Sequence, residues 1–300
     1  MSDYQRILLI TDTHCRATPA LHRAATLARA CNAGLHLVLF DFVESIAAMT
    51  LFNHGAGTEA REGYLGKKRE KLAELAQSLV NQGLQVSYDV VWSQHPHAAI
   101  RDYVKDINVD LVVKDLRVES QLKCALIGPT DWHLVRQCSK PVMLVRHDAP
   151  ARPKNFVAAV ALEHVGDGQT TRDDQVIRLA SELAMICDAE LELLHACDIL
   201  AGYELMQEYP WDSDAAAALQ KLRSQDFDDL ARSHQVPGRR RHFLLGQAVQ
   251  RIEEFVRERE VDTLVIGRSQ PDAFPWLGSF AESLLSQPPC SVVTLGTDSL

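Results

Sequence analysis

Two imidazoles stand two residues apart in the string His95-Pro96-His97, and neutral imidazole is a common zinc ligand. A zinc site needs four ligands, or three and an open position, and the neighbouring sequence supplies no third or fourth ligand. We therefore interpret this string as the start of a helix and expect that it binds no zinc. Trp132-His133 could line a cavity, but large amphipathic rings more often pack a helix against a sheet.

The chain carries none of the short motifs that mark catalytic or phosphate-binding proteins. G-x-S-x-G, H-E-x-x-H and the P-loop are all absent from the sequence. One basic run, Arg239-Arg240-Arg241-His242, could hold a phosphate, but it stands between Pro237-Gly238 and an apolar segment. We interpret this run as the solvated beginning of a strand, and we assign no catalytic residue and no metal ligand.

Composition and charge limit the classes of protein that the sequence could encode. The chain has 300 residues, 46% of them hydrophobic, and a formal charge of -9. Residues 1–150 carry 17 basic and 16 acidic side chains, and residues 151–300 carry 14 and 24. This balance disfavours a nucleic-acid partner, which needs a basic field. Without an apolar run of membrane-spanning length or a signal peptide, and with seven scattered cysteines, the sequence predicts a cytoplasmic protein with no membrane partner.

The second half of the chain repeats the first. Residues 128–142 align without a gap on residues 278–292, at an offset of 150. Val109-Asp110 aligns on Val261-Asp262 at an offset of 152, and Cys31 aligns on Cys187 at 156. A period of this size is a whole domain, so we predict two domains, 1–148 and 155–300, joined by a segment that Pro150 and Pro153 punctuate.

Short apolar runs alternate with amphipathic stretches in both halves. In the first half we predict strands at 6–11, 35–40, 84–91, 110–114 and 141–146, and helices at 19–31, 57–81, 97–105 and 130–138. The second-half strands are predicted at 156–162, 191–195, 242–245, 263–266 and 291–295. Strands that are apolar on both faces and alternate with helices indicate an α/β fold with parallel sheets covered on both sides.

The repeated unit resembles a universal stress protein domain. The resemblance is carried by the Asp after the first strand in Ile10-Thr11-Asp12, by the strand Asp110-Leu111-Val112-Val113-Lys114, and by Pro129-Thr130-Asp131-Trp132-His133-Leu134 with Pro141 beyond it. It covers essentially the whole chain. It implies two flavodoxin-like (Rossmann-like) domains, each a five-stranded parallel sheet of order 3-2-1-4-5. It also implies that the last strands of the two sheets pair about a pseudo-twofold axis.

Many members of that family bind ATP through a G-x2-G-x9-G-[ST] motif, whose glycines let backbone approach phosphate. In the first half, the motif glycines fall on Asp115, Val118 and Gly128, so together with Asp12 this site is degenerate and is predicted to have lost ATP. The second half keeps Gly267 and Gly278 but has Gln270 at the middle position and a shorter loop. The resemblance implies these candidate nucleotide-binding residues: Glu163, Ala196, Gly267, Gly278, Ser279, Phe280 and Ala281.

Three functions are compatible with this pattern. The first is a stress-response protein that acts by binding and not by general catalysis. The second is an ATP-binding or weakly ATP-hydrolysing switch working through the second domain. The third is a carrier of a small apolar metabolite in cavities left by decayed nucleotide sites. No cofactor is certain, ATP in the second domain is the candidate, and a small-molecule ligand and a homodimer are compatible with the sequence.

Overall fold

The computed structural model describes residues 4–116, 118–119, 126–127, 129–162, 171–198, 213–267, 284–285 and 287–297. These residues group into two units. Unit 1 holds residues 4–116 and 129–152 together with 296–297, and unit 2 holds the described residues from 153 to 295 together with 118–119 and 126–127. The predicted domain limits, 1–148 and 155–300, stay a prediction.

Unit 1 is built on a parallel sheet of five strands. The strands are β1 (Arg6–Ile10), β2 (Gly34–Asp41), β3 (Val86–Trp92), β4 (Leu111–Asp115) and β7 (Val142–Val145), with the short antiparallel pair β5 (Val118–Glu119) and β6 (Leu126–Ile127) between the last two in sequence. Pairing gives the order β3-β2-β1-β4-β7. This arrangement confirms the predicted order 3-2-1-4-5. Every side chain of β7 is buried, as expected for a strand covered on both faces.

Five helices are described in unit 1: α1 (Pro19–Cys31), α2 (Glu44–Phe52), α3 (His54–Val80), α4 (Pro96–Asp106) and α5 (Pro129–Gln137). Helix α1 begins where Thr18 caps it, its hydroxyl accepting from the Leu21 N–H, with Pro19 in the first turn. It ends at Asn32, which adopts a left-handed conformation with φ of 55°.

Unit 2 repeats this plan. Its strands are β8 (Asn155–Ala159), β9 (Glu190–Cys197), β10 (Arg241–Leu245), β11 (Thr263–Ile266) and β12 (Ser291–Thr294), in the order β10-β9-β8-β11-β12. The described helices are α6 (Arg172–Cys187), α7 (Ser213–Ser233) and α8 (Ala248–Glu258), with a 3-10 turn at Gly238–Arg240. Helix α6 ends at Asp188 with φ of 53°, as α1 does at Asn32. The α/β class and parallel order predicted from the sequence are confirmed in both units.

The repeated Val-Asp pair has a structural role. Asp110 accepts hydrogen bonds from the backbone N–H groups of Gln5 and Arg6 at 2.7 and 2.8 Å, where β1 begins. Asp262 accepts from Lys154 and Asn155 at 2.6 and 3.0 Å, where β8 begins. Each carboxylate satisfies two amides that precede the first strand of its own sheet, so the pair positions backbone and takes no part in a site.

Two of the described elements, helix α2 and the β5–β6 pair, were not predicted. Helix α2 consists largely of apolar and small residues, yet none of its side chains is buried, and Phe52 is 91% exposed. The β5–β6 pair follows β4, where no strand or helix was predicted. Neither element has the clear periodicity on which the predictions relied. In the part of the chain that the structure describes, no helix combines the length and apolar content needed to cross a membrane.

The basic run before β10 begins the strand as predicted, but its charges are paired. Arg240 and Arg241 contact the carboxylates of Glu190 and Asp228 at 2.5 and 3.3 Å, and Arg241 Nε also donates to the Val236 carbonyl. Arg239 and Arg240 lie in the 3-10 turn, and Arg241 and His242 are the first two residues of β10. Because two of its three arginines hold carboxylates of the same unit, it does not form an open phosphate site.

An aromatic residue, a histidine and a carboxylate meet at the same place in both units. In unit 1, the Tyr103 hydroxyl lies 2.7 Å from His36 Nε2 and donates to Asp89 at 3.1 Å. In unit 2, His242 lies 2.8 Å from Glu192, and its ring packs on Phe255 at a tilt of 52° with centroids 4.7 Å apart. The histidine is on the second strand in unit 1 and on the third strand in unit 2. The two units therefore keep one arrangement while exchanging the positions of the imidazole and the acid.

Candidate functional site

The candidate site of unit 1 lies beyond the carboxyl ends of β1 and β4. These adjacent strands form the switch point of the order 3-2-1-4-5, where ligands of open parallel sheets bind. Two predicted residues are described here, Asp12 after β1 and Asp115 at the end of β4. Gly128 lies outside the described residues. The hydrogen-bond partners and charges around Asp12 and Asp115 determine whether a nucleotide could bind here.

Asp12 is nearly buried and is engaged by Arg16. One carboxylate oxygen accepts from the Arg16 backbone N–H at 2.9 Å, and the other from Arg16 Nε at 2.7 Å. Burial raises the pKa of Asp12, but the hydrogen bonds from Arg16 outweigh burial and place this pKa below its ordinary value. Asp12 is therefore a carboxylate whose oxygens are already used within the chain.

Asp115 faces the beginning of α1. Its Oδ1 accepts from the Ala20 N–H at 3.1 Å, and the Thr18 hydroxyl also bonds to this carboxyl. Its Oδ2 is buried, and within the described residues it has no hydrogen-bond partner. Burial, together with the negative charge of Asp12, raises the pKa of Asp115. The carboxyl group of Asp115 therefore lies at the beginning of α1, which is where an anion would bind, and burial makes this group costly to ionise.

A buried ion pair closes the same end of the sheet. Lys114 Nζ, from β4, lies 2.5 Å from Asp131 Oδ1, from the first turn of α5. The two side chains are 9% and 1% exposed. Lys114 Nζ also donates to the Asp115 carbonyl at 3.1 Å. In the family motif, phosphate would bind at the beginning of α5. Here the first turn of α5 carries the carboxylate of Asp131, and Lys114 neutralises it.

A second group of polar and aromatic side chains lies at the ends of β2 and β3. Asp41 accepts from the Tyr64 hydroxyl at 2.6 Å and pairs with Lys68 at 3.1 Å. Lys68 also donates to the Thr13 carbonyl, just beyond Asp12. The Trp92 ring packs on Tyr64, with centroids 6.1 Å apart. The charged groups that border this end of unit 1 are therefore bound to one another.

The pKa of Asp115 is raised and that of Asp12 is lowered, so replacing each by Asn should change the stability of the fold in opposite directions. We expect Asp115→Asn to raise the unfolding midpoint at pH 7, because the amide keeps an acceptor for the Ala20 N–H and removes a buried charge. Since the folded-state pKa of Asp115 is raised, wild-type stability falls as pH rises from the ordinary value of 3.8 through that higher pKa. The advantage of the variant should therefore disappear below that window.

Asp12→Asn should behave in the opposite way. The lowered pKa of Asp12 means that its ionised form stabilises the fold above the ordinary value, and that this contribution is lost as pH falls. Urea unfolding of both variants and the wild type at pH 7.5 and pH 3.5, followed by circular dichroism, makes the comparison. If the two variants shift the midpoint in the same direction at pH 7.5, the roles given to these carboxylates are wrong.

Unit 2 has a glycine where unit 1 has Asp115. Gly267 follows β11 directly and stands 152 residues after Asp115, the offset that also relates Asp110 to Asp262. A Cβ placed on Gly267 would lie 3.0 Å from Arg172 Cδ, at the first residue of α6. A cationic side chain therefore crosses this glycine. In unit 1 the same place holds a carboxyl group.

The remaining described part of this site is lined by β8, β9 and α7. Ala196 lies in β9, in register with Leu244 of β10, and is partly exposed. Its neighbour His195 is buried, and its Nδ1 lies 2.9 Å from the Val160 carbonyl. Burial lowers the pKa of His195, so its neutral form is favoured. Arg223 Nη1 donates to the Leu162 carbonyl at 3.2 Å, which places a second guanidinium beyond β8.

Most of the predicted nucleotide residues of the second half cannot be located. Glu163, Gly278, Ser279, Phe280 and Ala281 lie outside the described residues. Of the predicted set, the structure places Ala196 in β9, next to its end at Cys197, and Gly267 directly after β11. Whether the set forms one site stays a prediction.

The histidine string at the beginning of α4 meets a histidine that the sequence did not connect with it. The rings of His97 and His133 contact each other at a tilt of 31°, with centroids 4.2 Å apart. Burial, and then the neighbouring His133, lowers the pKa of His97. His133 is exposed, and Leu134 and Val135 are the apolar side chains that α5 buries, so the predicted packing of Trp132-His133 on the sheet is wrong for His133. Across the described ranges, no three His, Cys, Asp or Glu side chains form a metal-binding group.

Sequence reasoning missed the partners that fill the unit 1 site. Arg16 carries a signal, because it follows Asp12 by four residues. Lys114 carries another, since this lysine follows three apolar residues in β4 and a buried cation requires a partner. The partner itself, Asp131, lies 17 residues farther along the chain and is recognisable only after α5 is docked.

Comparison with known proteins places these observations in a family. The sequence model of the universal stress protein family matches residues 3–146 and 165–295. Universal stress protein E of Photorhabdus laumondii is 24% identical over 306 residues, covering 99% of this chain and 96% of that protein. The protein of that name from Escherichia coli strain K12 is 28% identical over 186 residues, which cover 61% of this chain and 58% of that relative's length.

Solved structures show the same fold. The crystal structure of a functionally unknown protein from Pseudomonas aeruginosa PAO1 has a TM-score of 0.74 at 20% identity, covering 99% of this chain and 94% of that one. A universal stress protein from Archaeoglobus fulgidus has a TM-score of 0.64 at 15% identity, covering 99% of this chain and all of that one. At these identities the likeness concerns the fold alone.

Proposed function

Because the chain belongs to the universal stress protein family, we propose that it serves in the stress response by binding and not by catalysis, and that any nucleotide binds in unit 2. One observation carries the proposal. At the switch point of unit 1, Asp115 and the Lys114–Asp131 pair place the chain's own charges where the family motif would receive phosphate. A triphosphate there would have to displace a buried ion pair and approach two carboxyl groups.

Charge favours unit 2 over unit 1 for an anion. At the equivalent place, unit 2 has Gly267 with Arg172 crossing it, and Arg223 lies beyond β8. Helix α6 begins beside Gly267, and a helix beginning favours negative charge. The second half of the chain carries 24 acidic against 14 basic side chains, which opposes a triphosphate at long range. We therefore propose weak binding and negligible turnover.

Calorimetric titration of the full chain with ATP tests the proposal. We expect a Kd no tighter than about 0.1 mM, which corresponds to about 5.5 kcal/mol of binding free energy. Arg172→Gln should remove whatever binding is present, whereas Asp12→Ala should leave it unchanged. Tight binding that Asp12→Ala abolishes would show that the two sites are misread. Phosphate release at a typical enzymatic rate, about 1 per second or faster, would contradict the non-catalytic role.

The carrier of an apolar metabolite remains the alternative function. Its premise is an apolar cavity in a decayed nucleotide site, and at the switch point of unit 1 the side chains are charged and bound to one another. That observation weighs against an apolar ligand in unit 1. Native mass spectrometry of the purified full chain separates the functions, because a retained nucleotide, a retained apolar compound and an empty protein differ in mass.

A further inference from the structure

Ser87 and His36 form a hydrogen-bonded pair on β3 and β2 of unit 1. The two residues are cross-strand neighbours in the register of these strands. The Ser87 hydroxyl lies 2.7 Å from His36 Nδ1, and His36 Nε2 lies 2.7 Å from the Tyr103 hydroxyl of α4. The Tyr103 hydroxyl donates to Asp89 Oδ2 at 3.1 Å. These four side chains therefore form one continuous chain of hydrogen bonds from an exposed serine to a carboxylate.

Counting donors places the protons along this chain. A tyrosine hydroxyl has a single proton, and Tyr103 donates that proton to Asp89. The Tyr103 oxygen then accepts from the N–H at His36 Nε2, which leaves Nδ1 of the neutral ring without a proton. Nδ1 is therefore the acceptor, and the Ser87 hydroxyl donates to it. A serine that donates to a neutral imidazole, whose tautomer is fixed by a third group, has the arrangement of an activated nucleophile.

The surroundings of His36 keep its ring neutral. Burial lowers the pKa of His36 below its ordinary value of 6.5. The two charged groups that act on the ring oppose each other, because Asp89 of β3 raises this pKa and Arg6 of β1 lowers it. From α4, the Tyr103 ring packs on the imidazole with centroids 5.8 Å apart. At neutral pH the imidazole is therefore in the form that can take a proton from a hydroxyl.

The backbone beside Ser87 offers a donor to a reacting carbonyl group. β3 is the last strand of its sheet, and among the described residues of unit 1 no strand lies on its outer side. The Leu35 N–H bonds to the Gln85 carbonyl at 2.9 Å, so odd-numbered residues of this segment direct their backbone groups toward β2 and even-numbered residues direct theirs outward. The Tyr88 N–H, which directly follows Ser87, therefore points to the open edge. An N–H in this position stabilises the oxyanion that forms when a hydroxyl attacks an ester.

We propose that Ser87 is a nucleophile that takes an acyl group from an activated ester. Ser87 Oγ bonds to the carbonyl carbon, and its proton passes to His36 Nδ1. The bond from that carbon to the leaving oxygen then breaks, and His36 returns the proton to the departing oxygen, so that acyl-Ser87 and an alcohol or phenol remain. Because the site is open to solvent, it stabilises the oxyanion only weakly, and the ester needs a weakly basic leaving group. Ser87 is the second residue of β3, at the opposite end of the sheet from the switch point, and the inference does not depend on the proposed function.

Acetylation of the full chain by 4-nitrophenyl acetate tests the proposal. We expect an acetyl group on the peptide that holds Ser87, located by mass spectrometry after proteolysis. Ser78 and Ser233 are internal controls, because each is exposed and its hydroxyl donates at 2.7 Å to a backbone carbonyl instead of an imidazole. These two serines should stay unmodified while Ser87 reacts.

Four variants assign the roles. Ser87→Ala should remove the fast phase of nitrophenol release, whereas Ser78→Ala should leave it unchanged. His36→Gln should slow acetylation of Ser87 about a hundredfold, the lower end of what a general base contributes. Tyr103→Phe keeps the ring that packs on His36 but removes the oxygen that fixes its tautomer, and it should slow the reaction about tenfold, less than loss of the base itself.

The pH dependence of the rate identifies the base. Acetylation of Ser87 should follow the neutral fraction of His36, so the rate should be level at neutral pH and should fall, with a midpoint below 6.5, as pH decreases. Asp89→Asn removes the charge that raises the pKa of His36 and should move this midpoint to lower pH. A purely structural role of Asp89 would not cause that change.

Four results would overturn the proposal. They are no acetyl group on Ser87, acetylation of Ser78 as fast as that of Ser87, equal rates in His36→Gln and the wild type, or a rate that rises in proportion to hydroxide through neutral pH without a level region. Circular dichroism checks that each variant is folded. If His36→Gln does not fold, the pH profile of the wild-type chain decides the role of the imidazole.

Discussion

Replacing Lys114 with Met is expected to lower the free energy of unfolding by about 3–5 kcal/mol, because the buried carboxylate of Asp131 loses the ammonium group that faces it. Both side chains are nearly inaccessible to water, so solvent cannot replace the lost interaction. Met has a similar length and leaves little cavity. The loss therefore comes from the uncompensated charge and not from packing.

The double variant Lys114→Met/Asp131→Leu separates the pair from its surroundings. Replacing both members of a buried ion pair by apolar residues is often neutral or stabilising, so we expect it to recover most of the stability lost in Lys114→Met. Urea unfolding of the full chain, followed by circular dichroism, gives the comparison through the transition of unit 1. Equal losses in the single and double variants would mean that packing, and not charge, makes this contact important.

Gly57→Ala is expected to lower the free energy of unfolding by about 1–3 kcal/mol, the scale of overpacking, although Gly-to-Ala changes inside helices usually stabilise. Gly57 lies in α3, where α2 crosses it. A Cβ there would lie 2.5 Å from the backbone N and from Oγ1 of Thr50 in α2. Because backbone atoms cannot move aside as a flexible side chain can, α2 must shift.

Helix α3 supplies two matched controls. Gly63 and Gly66 have no atom within 4 Å of an added Cβ, so Gly63→Ala and Gly66→Ala should each stabilise by about 0.5–1 kcal/mol. Thermal and urea unfolding of the three variants test the contrast in sign. If Gly57→Ala stabilises as the other two do, then α2 does not press on α3 at this position in solution.

The internal repeat and the apolar pattern determined the fold. Asp110 and Asp262 align in sequence, and each accepts hydrogen bonds from the two equivalent backbone N–H groups where the first strand of its own unit begins. Strands such as Thr263–Ile266 have the predicted bounds, because a short apolar run that is buried on both faces marks where the strand begins and ends. Helix α2 was missed because it buries no face, so no periodicity marks it.

The sequence predicts the loss of the first nucleotide site from Asp115, which stands where a motif glycine is expected, and this stays a prediction. The side chains that meet at this place could not be predicted. The Lys114–Asp131 pair and the contact of Asp115 with Ala20 join residues 17 and 95 positions apart. Residues so far apart meet only after the strands are ordered and the helices docked, and spacing in sequence carries no information on that contact.

The sequence by itself determined the α/β class, the two repeated domains and the positions of most strands, because these depend on local periodicity and on alignment of one half with the other. Tertiary structure alone decided which charges meet. It joined His36 to Asp89 through the Tyr103 hydroxyl in unit 1 and placed His242 beside Glu192 in unit 2, with the imidazole on a different strand each time. The physical reason is that a partly buried polar side chain requires a partner at a given point in space, and either neighbouring strand can supply it.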